Sequence, residues 1–158
     1  DKGWSYGAYS TILNARGQRP LLAYAPVQTD KTRESVAELQ REFTAIRGDE
    51  PPTAEELATV VSSNTLSLPG RWETSRAVLG SIGEIVRFGL PDGYWTVYAD
   101  NVRALELSEV DRIARTLIDP DQLAWVVVGD RAAIEAELRK LGFDEIREVD
   151  ADGLAVTN

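Results

Sequence analysis

The stretch that decides the fold reads Leu123-Ala-Trp-Val-Val-Val-Gly-Asp130 and runs directly into a helical pattern. Residues 123–128 are apolar on both faces, which is typical of a strand in the middle of a sheet. Asp130 is a preferred N-cap residue for the helix that follows, and Gly142 stands where helices commonly end. The apolar stripe of this helix consists of Ile134, Leu138 and Leu141. The stretch therefore predicts a central strand followed by a capped, amphipathic helix.

Two segments near the amino terminus predict a β-hairpin. Residues 4–13 alternate in polarity, residues 14–17 form a turn, and residues 19–27 read as a second strand. One face of the first strand carries Trp4, Tyr6 and Ala8, and the other carries Ser5, Gly7 and Tyr9.

Between the hairpin and the predicted central strand, the apolar residues recur every three to four positions, which predicts helices. We expect these helices at residues 30–48, from residue 53, and at residues 71–88, 94–102 and 108–118. Thr53-x-x-Glu56 is a capping-box pattern, and Ser108-x-x-Asp111 opens the last of the five. Residues 145–149 and 154–156, joined through Asp152-Gly153, predict a terminal hairpin. This order of elements predicts a two-layer α+β domain.

The charge balance limits the possible partners. Seventeen basic and 26 acidic residues give a formal charge of −9, and no Lys/Arg cluster in the sequence offsets it. Such a surface repels phosphate backbones, so we expect neither nucleic-acid binding nor attachment to anionic membranes. No apolar run approaches the roughly 20 residues that cross a bilayer, so we expect no membrane insertion.

The absence of His and Cys limits the possible chemistry. Without Cys there are no disulfides, thiolate nucleophiles or thiolate metal ligands. Without His, a Ser-His-Asp triad and a His-ligated zinc site are both impossible within this chain. Carboxylate-only chemistry remains open, although no acidic cluster of the calcium-loop kind is visible. If the chain belongs to an enzyme, we expect the reaction centre to lie elsewhere.

Six short motifs in order resemble the pitrilysin/insulysin-type (inverzincin) zinc peptidases. The segment from Asp1 to Ser10, Asp-Lys-Gly-Trp-Ser-Tyr-Gly-Ala-Tyr-Ser, is similar to the family pattern Leu-Arg-Glu-x-Lys-Gly-x-x-Tyr. The others are Thr53-Ala-Glu-Glu-Leu57, Leu68-Pro-Gly-Arg-Trp-Glu-Thr74, Pro91-Asp-Gly-Tyr-Trp95, Val126-Val-Val-Gly-Asp130 and Leu141-Gly-Phe143. The resemblance covers about 150 residues and matches the carboxy-terminal half of the family.

The resemblance implies a two-layer, LuxS/MPP-like metalloprotease fold with a mixed, mostly antiparallel sheet and helices packed on one face. Four such domains enclose a chamber. Zinc binds a His-x-x-Glu-His motif in an amino-terminal domain, and this chain lacks that motif. The chain would carry no cofactor itself, would be inactive alone, and would pair with a zinc-bearing homologous domain or subunit and a peptide substrate. Residues 1–158 would be a single domain, truncated at its amino-terminal end.

The resemblance also assigns Tyr6 a role in the partner's active site. A family Tyr donates a hydrogen bond to the substrate carbonyl oxygen as it becomes negative, and Tyr6 matches it. The companion Arg would fall two positions before Asp1, outside this chain. Trp4 shares the predicted strand face of Tyr6, so we assign both to substrate binding. From periodicity alone, packing on a half-buried strand explains Tyr6 better than a functional role does, and it explains Trp4 at least as well.

The sequence leaves other assignments open. Trp72, Tyr94, Trp95 and Tyr98 suit packing between helices better than a ligand cage. A non-catalytic structural homologue is the alternative to an accessory peptidase domain, and an unrelated binding module is a third reading. The Trp4–Tyr9 segment resembles bacterial members whose Arg and Tyr lie on a separate subunit. The compartment is either the bacterial periplasm, which we favour, or the cytoplasm.

Overall fold

The computed structural model describes residues 2–143 and 145–156. Asp1, where the family-like motif begins, lies outside the described residues. The fold is α+β, as predicted, with an antiparallel pair of strands and a series of helices. The strands are β1 (Tyr9–Ile12) and β2 (Leu21–Tyr24). The α-helices are α1 (Thr32–Ala45), α2 (Ala54–Leu66), α3 (Ser75–Phe88), α4 (Tyr94–Arg103), α5 (Leu107–Leu117) and α6 (Arg131–Leu138).

The described chain divides into two compact units. The first contains residues 2–11, 23–42, 123–143 and 145–156, and the second contains residues 12–22 and 43–122. Short 3-10 turns occur at Thr29–Lys31, Leu68–Arg71, Pro120–Gln122 and Arg139–Leu141. Within the described residues, no helix is both long enough and apolar enough to cross a membrane.

The first unit has a small apolar core between α1 and α6. Val36, Ile134 and Leu138 are each 6–7% exposed and form its centre. Partly buried apolar residues pack around them: Trp125, Leu141, Phe143 and Ile146. The spacing of Ile134 and Leu138 is one helical turn, so both point from the same face of α6. The stripe predicted for this helix is therefore its buried face.

The second unit is held by helix packing and by an aromatic cluster. Helix α2 packs against α4, and the turn Leu68–Arg71 contacts both α2 and α3. Trp95 donates a hydrogen bond from its indole Nε1 to the carbonyl oxygen of Ser81, 3.4 Å away. Its ring meets Trp72 edge-on at 6.4 Å between centroids, and the guanidinium of Arg71 lies 4.1 Å from its centroid. These aromatic residues pack between elements, as the helical spacing indicated.

Three predicted helix caps are confirmed in the structure. Thr53 and Glu56 form both hydrogen bonds of a capping box at the start of α2. The Asp130 carboxylate accepts a hydrogen bond from the backbone N–H of Ala132, 3.0 Å away. Gly142, at φ 78°, adopts the left-handed conformation after the last turn.

Two predicted helix starts were wrong. Helix α3 begins at Ser75 rather than near residue 71, because Thr74 caps it by accepting a hydrogen bond from the N–H of Ala77. Ser108 does not cap α5, which already begins at Leu107 after Glu106. The Asp111 carboxylate instead accepts hydrogen bonds from Arg115, 3.0 and 3.1 Å away on the next turn.

The strand predictions need larger corrections. Residues 123–128 join no sheet ladder among the described residues, so the predicted central strand is wrong there. Val126 and Val128 are 83% and 94% exposed. An extended apolar segment becomes a strand only where a neighbouring strand offers ladder partners, and no described segment does so. The terminal hairpin is reduced to one antiparallel bridge between Val149 and Ala155.

We expect Thr53→Ala to lower the free energy of unfolding by about 1 kcal/mol, because it removes the hydroxyl that accepts the Glu56 N–H. That hydrogen bond measures 3.2 Å. Urea unfolding followed by circular dichroism measures the change. Thr53→Ser keeps the hydroxyl and is the matched control. Equal losses in the two variants would show that the cap does not stabilise α2.

Candidate functional site

The segment that carries Tyr6 is fixed to the chain around residue 28. The Gln28 side chain donates a hydrogen bond to the Gly3 carbonyl oxygen at 3.3 Å. The Gln28 backbone N–H donates to the Trp4 carbonyl oxygen at 3.0 Å. Ser5 forms an antiparallel bridge with Val27. The backbone before Tyr6 is therefore held by several bonds, although it is not a continuous strand.

A local turn explains why β1 begins at Tyr9 and not at Trp4. The Ser5 hydroxyl oxygen accepts a hydrogen bond from the Gly7 N–H at 3.1 Å and lies 2.6 Å from the Pro26 carbonyl oxygen. A side-chain acceptor of this kind diverts the backbone from a sheet ladder. Pro26 has no N–H to donate to such a ladder. The pairing of the two strands is consequently interrupted at this point.

Tyr6 is fully exposed on this anchored segment. Its relative exposure is 104%, and its hydroxyl has no hydrogen-bond partner among the described residues. A buried Tyr normally finds such a partner, whereas this phenol remains available to another molecule. The structure thus combines a constrained backbone with an unoccupied donor, which suits a residue that acts on a bound partner. Its catalytic role remains a prediction.

Unlike Tyr6, Tyr9 packs against its own chain. A Cβ atom at Gly7 would lie 2.8 Å from the Tyr9 hydroxyl oxygen, so the ring of Tyr9 folds over Gly7. Tyr9 also stacks on Tyr24, with ring centroids 5.3 Å apart. Tyr9 therefore has intramolecular contacts on its ring, which Tyr6 lacks.

Trp4 is half-buried beside a cation and an ion pair. The Lys2 ammonium lies 5.0 Å from the centroid of the Trp4 ring. The same ammonium pairs with the Glu38 carboxylate on α1, at 2.6 Å. The ring is thus partly covered by its own chain. The assignment of Trp4 to substrate binding remains a prediction.

The pair also controls the ionisation of Glu38. The hydrogen bond from Lys2, and next the one from Arg41, lower the pKa of the Glu38 carboxylate below its ordinary value. Because the pKa is lower in the folded than in the unfolded chain, the interaction stabilises folding at pH values above the unfolded pKa. That contribution is lost as the pH falls through the folded pKa. Sequence inspection had not identified Lys2, Gln28 or Glu38, since no local pattern joins them.

We expect Lys2→Ala to raise the pKa of Glu38 toward its ordinary value, because it removes the largest cause of the shift. Carbon-detected NMR titration of the side-chain carboxylates measures the effect. Glu135, whose pKa is lowered by Arg131 and Arg139, is an internal control that should not move. If the pH midpoint of the Glu38 titration did not change in the variant, the contact between Lys2 and Glu38 would be excluded in solution.

The part of the chain that the structure describes offers no cluster of metal ligands. Among the described residues, no group of three or more His, Cys, Asp or Glu side chains is placed to hold a metal ion. Structural and catalytic zinc sites draw on His, Cys and carboxylate ligands converging on one point. The described residues supply no such set and so do not fit zinc.

Comparison with known proteins supports the fold. No family model matches the chain, and no curated protein matches it. Among solved structures, it is similar to the crystal structure of a peptidase M16 inactive domain from Pseudomonas fluorescens, with 20% sequence identity and a TM-score of 0.65. The match covers 77% of this chain and 28% of that chain. The two share a fold, and this chain spans less than a third of its neighbour's length.

Proposed function

We propose that this chain is a non-zinc accessory domain of a zinc metalloendopeptidase that hydrolyses peptides. The observation that carries the proposal is the structural likeness to a domain described as a peptidase M16 inactive domain. The six sequence motifs support the same class of peptidase, because they occur in the order found in that family and extend from residue 1 to residue 143. In this proposal the His-x-x-Glu-His zinc site lies on another domain or subunit, because this chain contains no His.

In this proposal, Tyr6 acts on the substrate held by the zinc-bearing partner. Its phenol donates a hydrogen bond to the peptide carbonyl oxygen, which becomes negative as water adds to the carbonyl carbon. A donor placed at that oxygen stabilises the transition state more than the ground state. The full exposure of Tyr6 supports this role. Its hydroxyl would not have to break an intramolecular hydrogen bond in order to donate to the substrate.

The remainder of the domain would form part of the wall of the chamber that admits the peptide, with Trp4 beside Tyr6 as a substrate contact. The half-buried ring of Trp4 offers apolar area for a side chain of the peptide.

The test is reconstitution with a His-x-x-Glu-His partner protein and zinc, using a quenched fluorescent peptide. We expect the chain alone and the partner alone to be inactive, and the assembled pair to cleave the peptide. Removal of zinc with a chelator should abolish cleavage. Assembly without cleavage, in the presence of zinc, would instead support the alternative of a structural subunit with the same fold.

A further inference from the structure

Three arginines surround a shallow depression at the carboxyl end of α3. Arg16 and Arg19 come from the loop between β1 and β2, and Arg87 lies in the last turn of the helix. Val86, Phe88 and Gly89 complete the lining. The depression measures about 390 Å³, which is within the range of small-ligand sites. All of these residues belong to the second unit.

Neutral groups hold two of these arginines in place. Arg16 donates hydrogen bonds to the carbonyl oxygens of Arg87, at 2.6 Å, and Val86, at 3.4 Å. Such carbonyls at a helix end lack partners within the helix. The Arg19 guanidinium lies 4.4 Å from the centroid of the Phe88 ring. Both side chains are therefore positioned without a counter-charge, and each retains unused N–H donors.

The lack of a carboxylate is unusual in this chain. Most of its basic side chains pair with an Asp or Glu within 4.0 Å, from Lys2 near the amino terminus to Arg147 near the carboxyl terminus. Among the described residues, those without such a neighbour are Arg16, Arg19, Arg76 and Arg87. Three of them line this one depression, in a protein of net charge −9. Clustered like charges repel each other. An anion bound in the depression would reduce the repulsion among the three arginines, which no carboxylate within 4.0 Å among the described residues offsets.

We propose that this depression binds a carboxylate attached to an apolar group, as found at the carboxy terminus of a peptide. The planar fork of a guanidinium matches a carboxylate in two parallel hydrogen bonds. Val86, which is 68% exposed, and the half-buried Phe88 supply apolar surface beside the charges. The negative field of the whole chain disfavours phosphates, which carry more charge than a single carboxylate. This site does not depend on the peptidase proposal.

The experiment compares N-acetylleucine with N-acetylleucinamide, which differ in the carboxylate alone. Each is titrated into the chain while NMR follows the arginine Nε–H signals. We expect saturable shifts at Arg16 and Arg19 with the acid, at a dissociation constant on the order of 1–10 mM, and roughly tenfold weaker binding of the amide. Raising the salt concentration should weaken binding of the acid, because the charges are exposed.

Variants locate the site. Arg19→Gln and Arg87→Gln leave the hydrogen bonds of the Arg16 side chain in place, and each should weaken binding by about fivefold. Arg103→Gln, which removes an exposed arginine paired with Asp100, is the matched control and should bind as the parent does. Equal shifts with acid and amide, or equal losses in all three variants, would overturn the proposal. Tighter binding of inorganic phosphate than of N-acetylleucine would overturn the assignment to a carboxylate.

Discussion

If the proposed function is correct, we expect Tyr6→Phe to lower the turnover number of the assembled peptidase by about a hundredfold to a thousandfold, while the peptide's affinity changes little. The substitution removes only the hydroxyl, and with it the hydrogen bond proposed to form as the carbonyl oxygen becomes negative. An interaction made only in the transition state affects kcat and kcat/KM equally. The measurement is steady-state cleavage of a quenched fluorescent peptide by the reconstituted enzyme with zinc.

The structure makes this experiment easy to interpret. Because Tyr6 is fully exposed and its hydroxyl has no partner among the described residues, the variant should keep the stability of the parent. Tyr9→Phe removes the same atom three residues away, from a ring that stacks on Tyr24, and should retain turnover within about twofold. Unchanged turnover in Tyr6→Phe, with assembly intact, would reduce Tyr6 to a surface residue and the domain to a chamber wall.

The helix boundaries show which predictions a sequence can support. The capping box of Thr53 and Glu56 and the cap at Asp130 involve residues no more than three positions apart. Such signals need only the local chain, so they are correct in the structure. Where two local signals compete, the sequence alone does not rank them. Thr74 prevailed over the apolar pattern that placed the start of α3 near residue 71.

Strands and sites depend on distant partners, and there the sequence was insufficient. Residues 123–128 have the composition of a buried strand, but composition does not supply a neighbouring strand. The first strand was shortened by Ser5 and Pro26, which are 21 residues apart. The arginine depression joins Arg16 to Arg87 across 71 residues, so the sequence showed no basic cluster. The role of Tyr6 stays a prediction that rests on its motif, since periodicity alone describes an ordinary strand residue.

The core of the first unit is small, which makes each of its buried side chains important. Val36, Ile134 and Leu138 are the buried apolar residues at its centre, while many apolar side chains elsewhere in the described residues are exposed. The net stability of a domain is a small difference between large terms. The loss of one central side chain therefore removes a large share of it.

Leu138→Ala should lower the free energy of unfolding by about 2–3 kcal/mol. This value is at the lower end of the range for buried leucines, because side chains in a core this close to solvent can partly fill the cavity. Leu138 is 7% exposed, whereas Leu154 in the same unit is 65% exposed. Leu154→Ala is thus the matched control, with an expected change of less than about 0.5 kcal/mol. Urea unfolding followed by circular dichroism measures both. If the two variants lost equal stability, the α1–α6 contact would not be the core of this unit in solution.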